Sequence, residues 1–204
     1  MKIKNLINKF GIYVILIIIF VFFAICTDSF LSPKNLFNIG RQVSMIGICA
    51  VGMTMVLLTG GIDISVGSII ALVGVVCAKL TVEGNIPFYL SAVLAILVGT
   101  LCGLIVGFMV MKFDVPPLIA TLAMQTIARG LAFILTGGIP VYGLPDSARF
   151  VGQGYIAGVP TPLILMVVIF AVGFWLLEKT RFGRHVYAIG GNEEVSRLSG
   201  INVP

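Results

Sequence analysis

Apolar runs close to bilayer length recur along this chain, and they restrict its fold more than any other feature. A stretch of about 20 predominantly apolar residues spans the hydrocarbon of a membrane as a helix. Six such segments can be drawn, at residues 10–26, 43–59, 64–78, 87–111, 115–136 and 162–177. Hydrophobic residues make up 59% of the sequence and charged residues 10%, far from a soluble average. Lipid offers the backbone no hydrogen-bond partners, so each segment must satisfy its own amides as a helix. The predicted fold is all-α, a polytopic transmembrane helical bundle.

The first segment follows Lys2, Lys4 and Lys9 and has some features of a secretory leader. Its end, "FFAIC", lacks small residues at both cleavage positions, and Ile25 before Cys26 argues against lipoprotein processing. It reads as an uncleaved first span. With the N-terminus inside, the cytoplasmic loops hold Lys2, Lys4, Lys9, Lys112, Lys179, Arg181, Arg184 and Arg197, against Lys34, Arg41, Lys79 and Arg149 outside. Basic residues favour the cytoplasmic side, which predicts a cytoplasmic N-terminus. Residues 137–161 are then an external, structured loop with room for a short helix, and residues 178–204 a cytoplasmic tail.

Small residues predict close helix packing. Gly99, Gly103 and Gly107 recur every fourth residue in the fourth span, and Gly67, Ala71, Gly74 and Ala78 suggest a similar face in the third. Such stripes let a neighbouring backbone approach.

Three polar features need an account. The first is "LLTGGIDISVGS", residues 57–68, which lies between two spans predicted to be short for a bilayer. Gly60 and Gly61 permit unusual backbone angles, and Asp63 or Ser65 can cap the next helix and suit its positive end. The stretch is either a plain cytoplasmic turn or, since broken spans mark transport pathways, part of one. The second is Arg129, inside the fifth span, with Gln125 and Thr126 on a polar stripe. An intramembrane charge faces a bundle interior or water, or snorkels to the interface. A structural ion pair or gate contact is the expectation for it ahead of direct substrate binding. "DVPPLIA", residues 114–120, places two prolines at the start of that span, where proline suits a first helical turn.

The third feature is the tail. Asn192 is a good helix N-cap, Glu193 and Glu194 match the positive end, and Gly200 suits the position after the last turn. The implied helix, residues 193–199, carries Val195 and Leu198 on one side. Two turns alone are marginal in water, so this helix needs a surface to lie on. The single histidine, His185, stands beside Arg184 and reads as interfacial rather than catalytic.

Enzyme chemistry finds no support. There is no GxxxxGK phosphate loop, no Ser/His/acid set and no CxxC or Cys/His spacing for a metal. The four cysteines all lie in apolar segments and read as small packing residues. The net charge of +5 is scattered through short loops, so it orients the protein rather than binding nucleic acid. No cofactor is implied.

"GMTMVLLTGGIDISVGSIIAL" (52–72), "PPLIATLAMQTIARGLAFILTGGIP" (116–140) and "TRFGRHVYAIGGNEEVSRLSGINV" (180–203) resemble the ribose/xylose/galactose-type sugar ABC transporter permeases of bacteria. The resemblance runs from residue 40 to the end, with the three motifs in order. It implies a membrane permease subunit of an ATP-driven monosaccharide importer. The partners it implies are an ABC ATPase with two nucleotide-binding modules, an extracytoplasmic sugar-binding protein and a second permease copy in the bilayer. It also implies that residues 180–203 form a coupling segment docked on the ATPase through Gly191, Asn192, Glu193, Glu194, Arg197, Leu198 and Gly200. Gly60, Gly61, Asp63, Ser65, Gln125 and Arg129 become candidates for the pathway or its gate. The family has about ten spans, of which about six are expected here, each near 20 residues. The whole chain then reads as one permease domain whose C-terminal spans are missing. A nucleoside or autoinducer permease of the same superfamily, or an inactive fragment, are the alternatives. A secondary transporter would predict paired intramembrane carboxylates, whereas Asp63 stands largely alone.

Overall fold

The computed structural model describes residues 2–201, with side chains from Phe10 onward. The last residues of the 180–203 segment and the side chains of Lys2, Lys4 and Lys9 lie outside the described residues. In chain order come α1 (Lys2–Cys26), α2 (Pro33–Leu58), α3 (Val66–Val82), α4 (Phe88–Phe113) and α5 (Pro117–Thr136). They are followed by α6 (Asp146–Gln153), β1 (Tyr155–Ile156), β2 (Val159–Pro160), α7 (Thr161–Lys179), α8 (Arg181–Gly191) and α9 (Glu193–Leu198). The all-α expectation holds, the two short strands aside. Among the described residues four helices, α2, α4, α5 and α7, are long and apolar enough to cross a membrane. The apolar part of α1, Phe10–Cys26, and α3 are shorter.

The chain divides into two compact units, residues 1–43 and 44–204. In the first, α1 turns into α2 around Phe30, whose ring lies edge-on to Phe20 at 5.1 Å and stacks on Phe23 at 5.8 Å. The helix after this corner is longer than the predicted second span, starting at residue 33 rather than 43. Hydropathy misses its first turns because Lys34, Asn35, Asn38 and Arg41 are polar. The start has a local cause. Ser32 Oγ accepts the Asn35 N–H at 3.3 Å, and Pro33 holds the first helical position, where a missing N–H costs nothing. This span is therefore not short; α3 is.

In the second unit α3 packs between α4 and α5. Its core gathers Leu72 of α3, Cys102 of α4 and Met124, Ala128 and Ala132 of α5, with Ile69, Val75, Val76, Val98 and Val106 against them. Buried positions are dominated by small residues, among them Ala95, Ala120, Ala128, Ser65 and Ser91, while Ile96, Leu104, Ile134 and Phe174 point outward. That distribution suits a lipid surrounding, where backbone approach rather than burial of bulk drives helix contact.

The chain between α5 and α7 is structured, as expected. Gly137 and Gly138 leave α5 with φ of 62° and 78°. After α6, β1 and β2 pair antiparallel, Tyr155 opposite Pro160. Their two-residue turn, Ala157–Gly158, has positive φ at both positions, the geometry of a type I′ hairpin. The predicted proline start of α5 holds, with Pro117 in the first turn.

The glycine stripes are corrected by the packing. A Cβ on Gly99 would lie 2.9 Å from Val73 Cγ2, whereas Gly103, Gly107, Gly67 and Gly74 have nothing within 4 Å of that position. Tighter glycine contacts between two spans lie elsewhere, where α2 meets α7. Gly47 of α2 faces Met166 and Phe170 of α7, and Gly173 of α7 faces Val51 of α2. Periodicity marks a face, but only the neighbour's position decides which glycine is filled. Gly99→Ala should lower stability by about 1 kcal/mol through overpacking. Gly103→Ala should be neutral or slightly stabilising by helix propensity. Thermal unfolding of the two variants in detergent compares them directly.

Candidate functional site

The turn between α2 and α3 and the tail meet at one end of the second unit. Helix α2 ends in a Schellman arrangement: Gly60 N–H donates to Leu57 O at 3.0 Å and Gly61 N–H to Val56 O at 3.1 Å. Only Gly60 takes a left-handed angle, φ 80°. Gly61 is small for a different reason, since its Cβ would stand 3.1 Å from Val56 Cγ1. The expectation of special angles thus holds for Gly60 and is corrected for Gly61.

Residues 61–65 then run without helix or strand. Asp63 Oδ1 accepts two bonds from Ser65, from its N–H at 2.8 Å and from its hydroxyl at 2.6 Å. This is an Asx turn with an added charge-assisted hydroxyl bond. It replaces the expected helix cap. Ser65 already has helical angles, φ −79° and ψ −15°, and neither its side chain nor that of Asp63 bonds a free N–H inside α3. Ser65 is fully buried and Asp63 half-buried. From α5, the buried Thr121 brings its hydroxyl 3.2 Å from Leu118 O and 3.5 Å from Ile62 O, the latter a long contact that reaches the turn. The sequence reading missed Thr121, although a hydroxyl in the first turns of a span is the signal that would have found it.

The tail folds against this turn. Thr180 caps α8 by accepting the Gly183 N–H at 3.3 Å, and its own hydroxyl donates to Leu176 O. Gly183 lies against the Leu177 backbone, and Gly190 directly against the Leu58 carbonyl, with Thr59 Cα beside it. Neither position has room for a Cβ. Helix α8, an amphipathic element with Gly183 and Val186 inward, was not anticipated. Its signal was the interval of Gly and apolar residues in "RFGRHVYAIGG".

Helix α9 forms as expected. Asn192 Oδ1 accepts the Val195 N–H at 3.0 Å. At the far end Gly200, φ 85°, donates to Arg197 O while Ile201 N–H reaches Ser196 O, again a Schellman closure. Glu193 pairs with Arg197 at 3.4 Å on the exposed face. Gly191, Glu194 and the remaining residues of this segment are exposed except Ser196. Val195 and Leu198 are 56% and 83% exposed, an apolar pair facing outward beside acidic side chains.

Gln125 and Arg129 lie one helical turn apart on α5, Gln125 half-buried and Arg129 exposed. The expected ion pair for Arg129 is not found among the described residues. Lys79–Glu83, Asp146–Arg149 and Glu193–Arg197 are paired, whereas the Arg129 guanidinium stands 5.5 Å from the Phe133 ring centre. Neither α3 nor α4 carries a carboxylate that could pair with it. From Thr121 to Arg129 is eight positions, about 12 Å along the helix, so the turn and the guanidinium are separate features.

The sequence matches the family described as "Branched-chain amino acid transport system / permease component" over residues 35–204. It is 42% identical over 195 residues to the ribose import permease protein RbsC of Haemophilus influenzae, covering 94% of this chain and 60% of that protein. It is 44% identical over 202 residues to RbsC of Bacillus subtilis, covering 96% and 61%. The L-arabinose ABC transporter permease protein AraH of Azospirillum brasilense is 36% identical over 199 residues, covering 98% and 58%. The chain thus spans about 60% of the length of these relatives. No solved structure matches.

The seating of the tail is testable. Gly190→Ala forces Cβ onto the Leu58 carbonyl, so overpacking should destabilise the tail contact by about 1–3 kcal/mol. Faster limited proteolysis between residues 180 and 192 would report it. Gly191→Ala, with open space at its Cβ, should leave the digestion unchanged.

Proposed function

This chain belongs to the permease-component family of the branched-chain amino acid transport system, and on that premise we propose that it supplies the membrane pathway of an ATP-driven importer for a monosaccharide such as ribose. The solute reading rests on the ribose permeases among its relatives. Sugar arrives from an extracytoplasmic binding protein, and a partner ABC ATPase with two nucleotide-binding modules hydrolyses the ATP. A second permease copy completes the pathway, and the bilayer surrounds it. The protein lies in the bacterial inner membrane with its N-terminus in the cytoplasm, on the distribution of basic residues.

The observation that carries this reading is the capped, outward-facing α9. A two-turn helix with exposed Val195 and Leu198 is marginal by itself, and a groove in the ATPase is the surface it lacks. Glu193, Glu194 and Arg197 ring that apolar pair with charge, which orients the docked helix. Gly190, lodged against Leu58, makes the tail and the α2–α3 turn one mechanical piece. ATPase movement is thereby transmitted to Gly60, Gly61, Asp63 and Ser65 at the inner end of the pathway. Gln125, near the middle of α5, and Arg129, nearer its outer end, are candidate gate contacts.

The test is copurification. Produced together with the ABC ATPase encoded beside its gene, the chain should hold the ATPase through detergent extraction. Glu194→Lys should weaken that retention about tenfold or more, as an interface charge reversal does. Gly191→Pro should abolish it while leaving membrane insertion intact. Labelled ribose taken up by cells carrying the native gene cluster, and competed by unlabelled ribose but not by a nucleoside, supports the solute. Absence of any ATPase association, with no such gene nearby, sinks the importer reading.

A further inference from the structure

A cavity of about 400 Å³ opens beside Arg129, within the roughly 300–1,000 Å³ range of ligand sites. Its walls include Ala71, Gly74 and Ala78 of α3, Phe133 and Thr136 of α5, and Ile139 just beyond α5. Gly74 at the middle of this wall is not filled by a neighbouring helix: a Cβ there would meet nothing within 4 Å, while Ala78 is buried at its floor. Together the small side chains leave a furrow. The rim is apolar and open to the surroundings, with Phe133 54% and Ile139 66% exposed.

Arg129 is the one charged side chain in this lining. Among the described residues it has neither an ion pair nor a side-chain hydrogen bond, and its contact is the Phe133 ring. It lies seven residues before the end of α5, about 10 Å along the helix axis. That depth is within snorkelling distance of the phosphate level of a bilayer. A fixed cation at the head of an apolar furrow is complementary to a molecule with one anionic group and an apolar chain. A sugar fits less well. The Thr136 hydroxyl already donates to Ala132 O and accepts from Gly138 N–H, so ring hydroxyls would find little beyond the guanidinium, and unpaired polar groups are costly in such surroundings.

We propose that this cavity binds an anionic phospholipid, its phosphate on the Arg129 guanidinium and an acyl chain along Ala71, Gly74 and Ala78. The planar guanidinium offers the phosphate two parallel N–H donors. Basic pockets between transmembrane helices on the cytoplasmic side take anionic headgroups, and a guanidinium presented at the opposite interface offers a phosphate the same donors. The inference does not depend on which solute the protein carries, and it gives the cation at the outer end of α5 a partner that the described chain does not provide.

Native mass spectrometry of the full chain in detergent tests it, with phosphatidylglycerol, phosphatidylcholine of the same acyl chains, and glycerol 3-phosphate as probes. One phosphatidylglycerol per chain should be retained about fivefold better than phosphatidylcholine. Arg129→Gln should reduce retention to the phosphatidylcholine level, Arg129→Lys should keep most of it, and Arg149→Gln should change nothing. Glycerol 3-phosphate at the same concentration should not compete. Phosphatidylglycerol carrying a diazirine in its acyl chain should crosslink the wild-type protein between residues 70 and 78 or 133 and 139. This crosslink decides the matter if Arg129→Gln does not fold. Equal retention of the two lipids, crosslinks confined to other segments, competition by glycerol 3-phosphate alone, or displacement of the lipid by ribose would each overturn the proposal. The last would make the cavity a sugar subsite.

Discussion

With lipid rather than water outside the helices, a leucine gains little by turning inward, and the bundle has to be held by close backbone approach. The second unit follows that rule. Ala95 of α4 and Ala120 and Ala128 of α5 are buried, whereas Ile96, Leu104 and Ile134 on the same helices face out. Each contact is a van der Waals fit rather than a burial of bulk, so single carbons matter. The 2.9 Å that would separate a Cβ on Gly99 from Val73 is one such margin between α3 and α4.

The end of the unit that holds the α2–α3 turn is built from the same economy of side chains. At Gly60 the chain needs a left-handed angle that glycine adopts without penalty. At Gly190 it needs no Cβ at all, because the Leu58 carbonyl occupies that place. One glycine ends α2 and the other brings the tail back against that end. Between them Asp63 spends its carboxylate on Ser65, which keeps the α2–α3 connection ordered where neither helix ladder covers it. A local, charge-assisted turn next to a sterically locked tail is a rigid joint, and a rigid joint suits a part that transmits movement.

The C-terminal half of α5 has the opposite character. Its polar group, Arg129, is set against an aromatic ring and an unfilled furrow rather than a carboxylate. Cation–π contact with one ring supplies about 0.5–1 kcal/mol at an exposed site. That is small beside what a guanidinium gains from an anion, and it leaves the group available.

Patterns confined to one segment were legible in the sequence. Apolar run length indicated helices and membrane, the Asn192–Gly200 interval predicted a capped helix with the right ends, and proline at residue 117 marked the start of α5. These features are settled by backbone chemistry within a few residues, so the order of residues is enough to reveal them. The early start of α2 was equally local, in Ser32 and Pro33, but polar residues concealed it from hydropathy. What stayed hidden depends on which surfaces meet. Gly61 and Gly60 look alike in the chain, yet one answers to a backbone angle and the other to a neighbouring valine. Gly99 is packed and Gly103 is not, though both lie on one stripe. Asp63 turned back on Ser65 instead of capping α3, and Arg129 met a ring and a cavity instead of an acid. Tertiary structure alone decided these points, because a side chain's partner across the bundle depends on distances between segments that no spacing along the chain encodes.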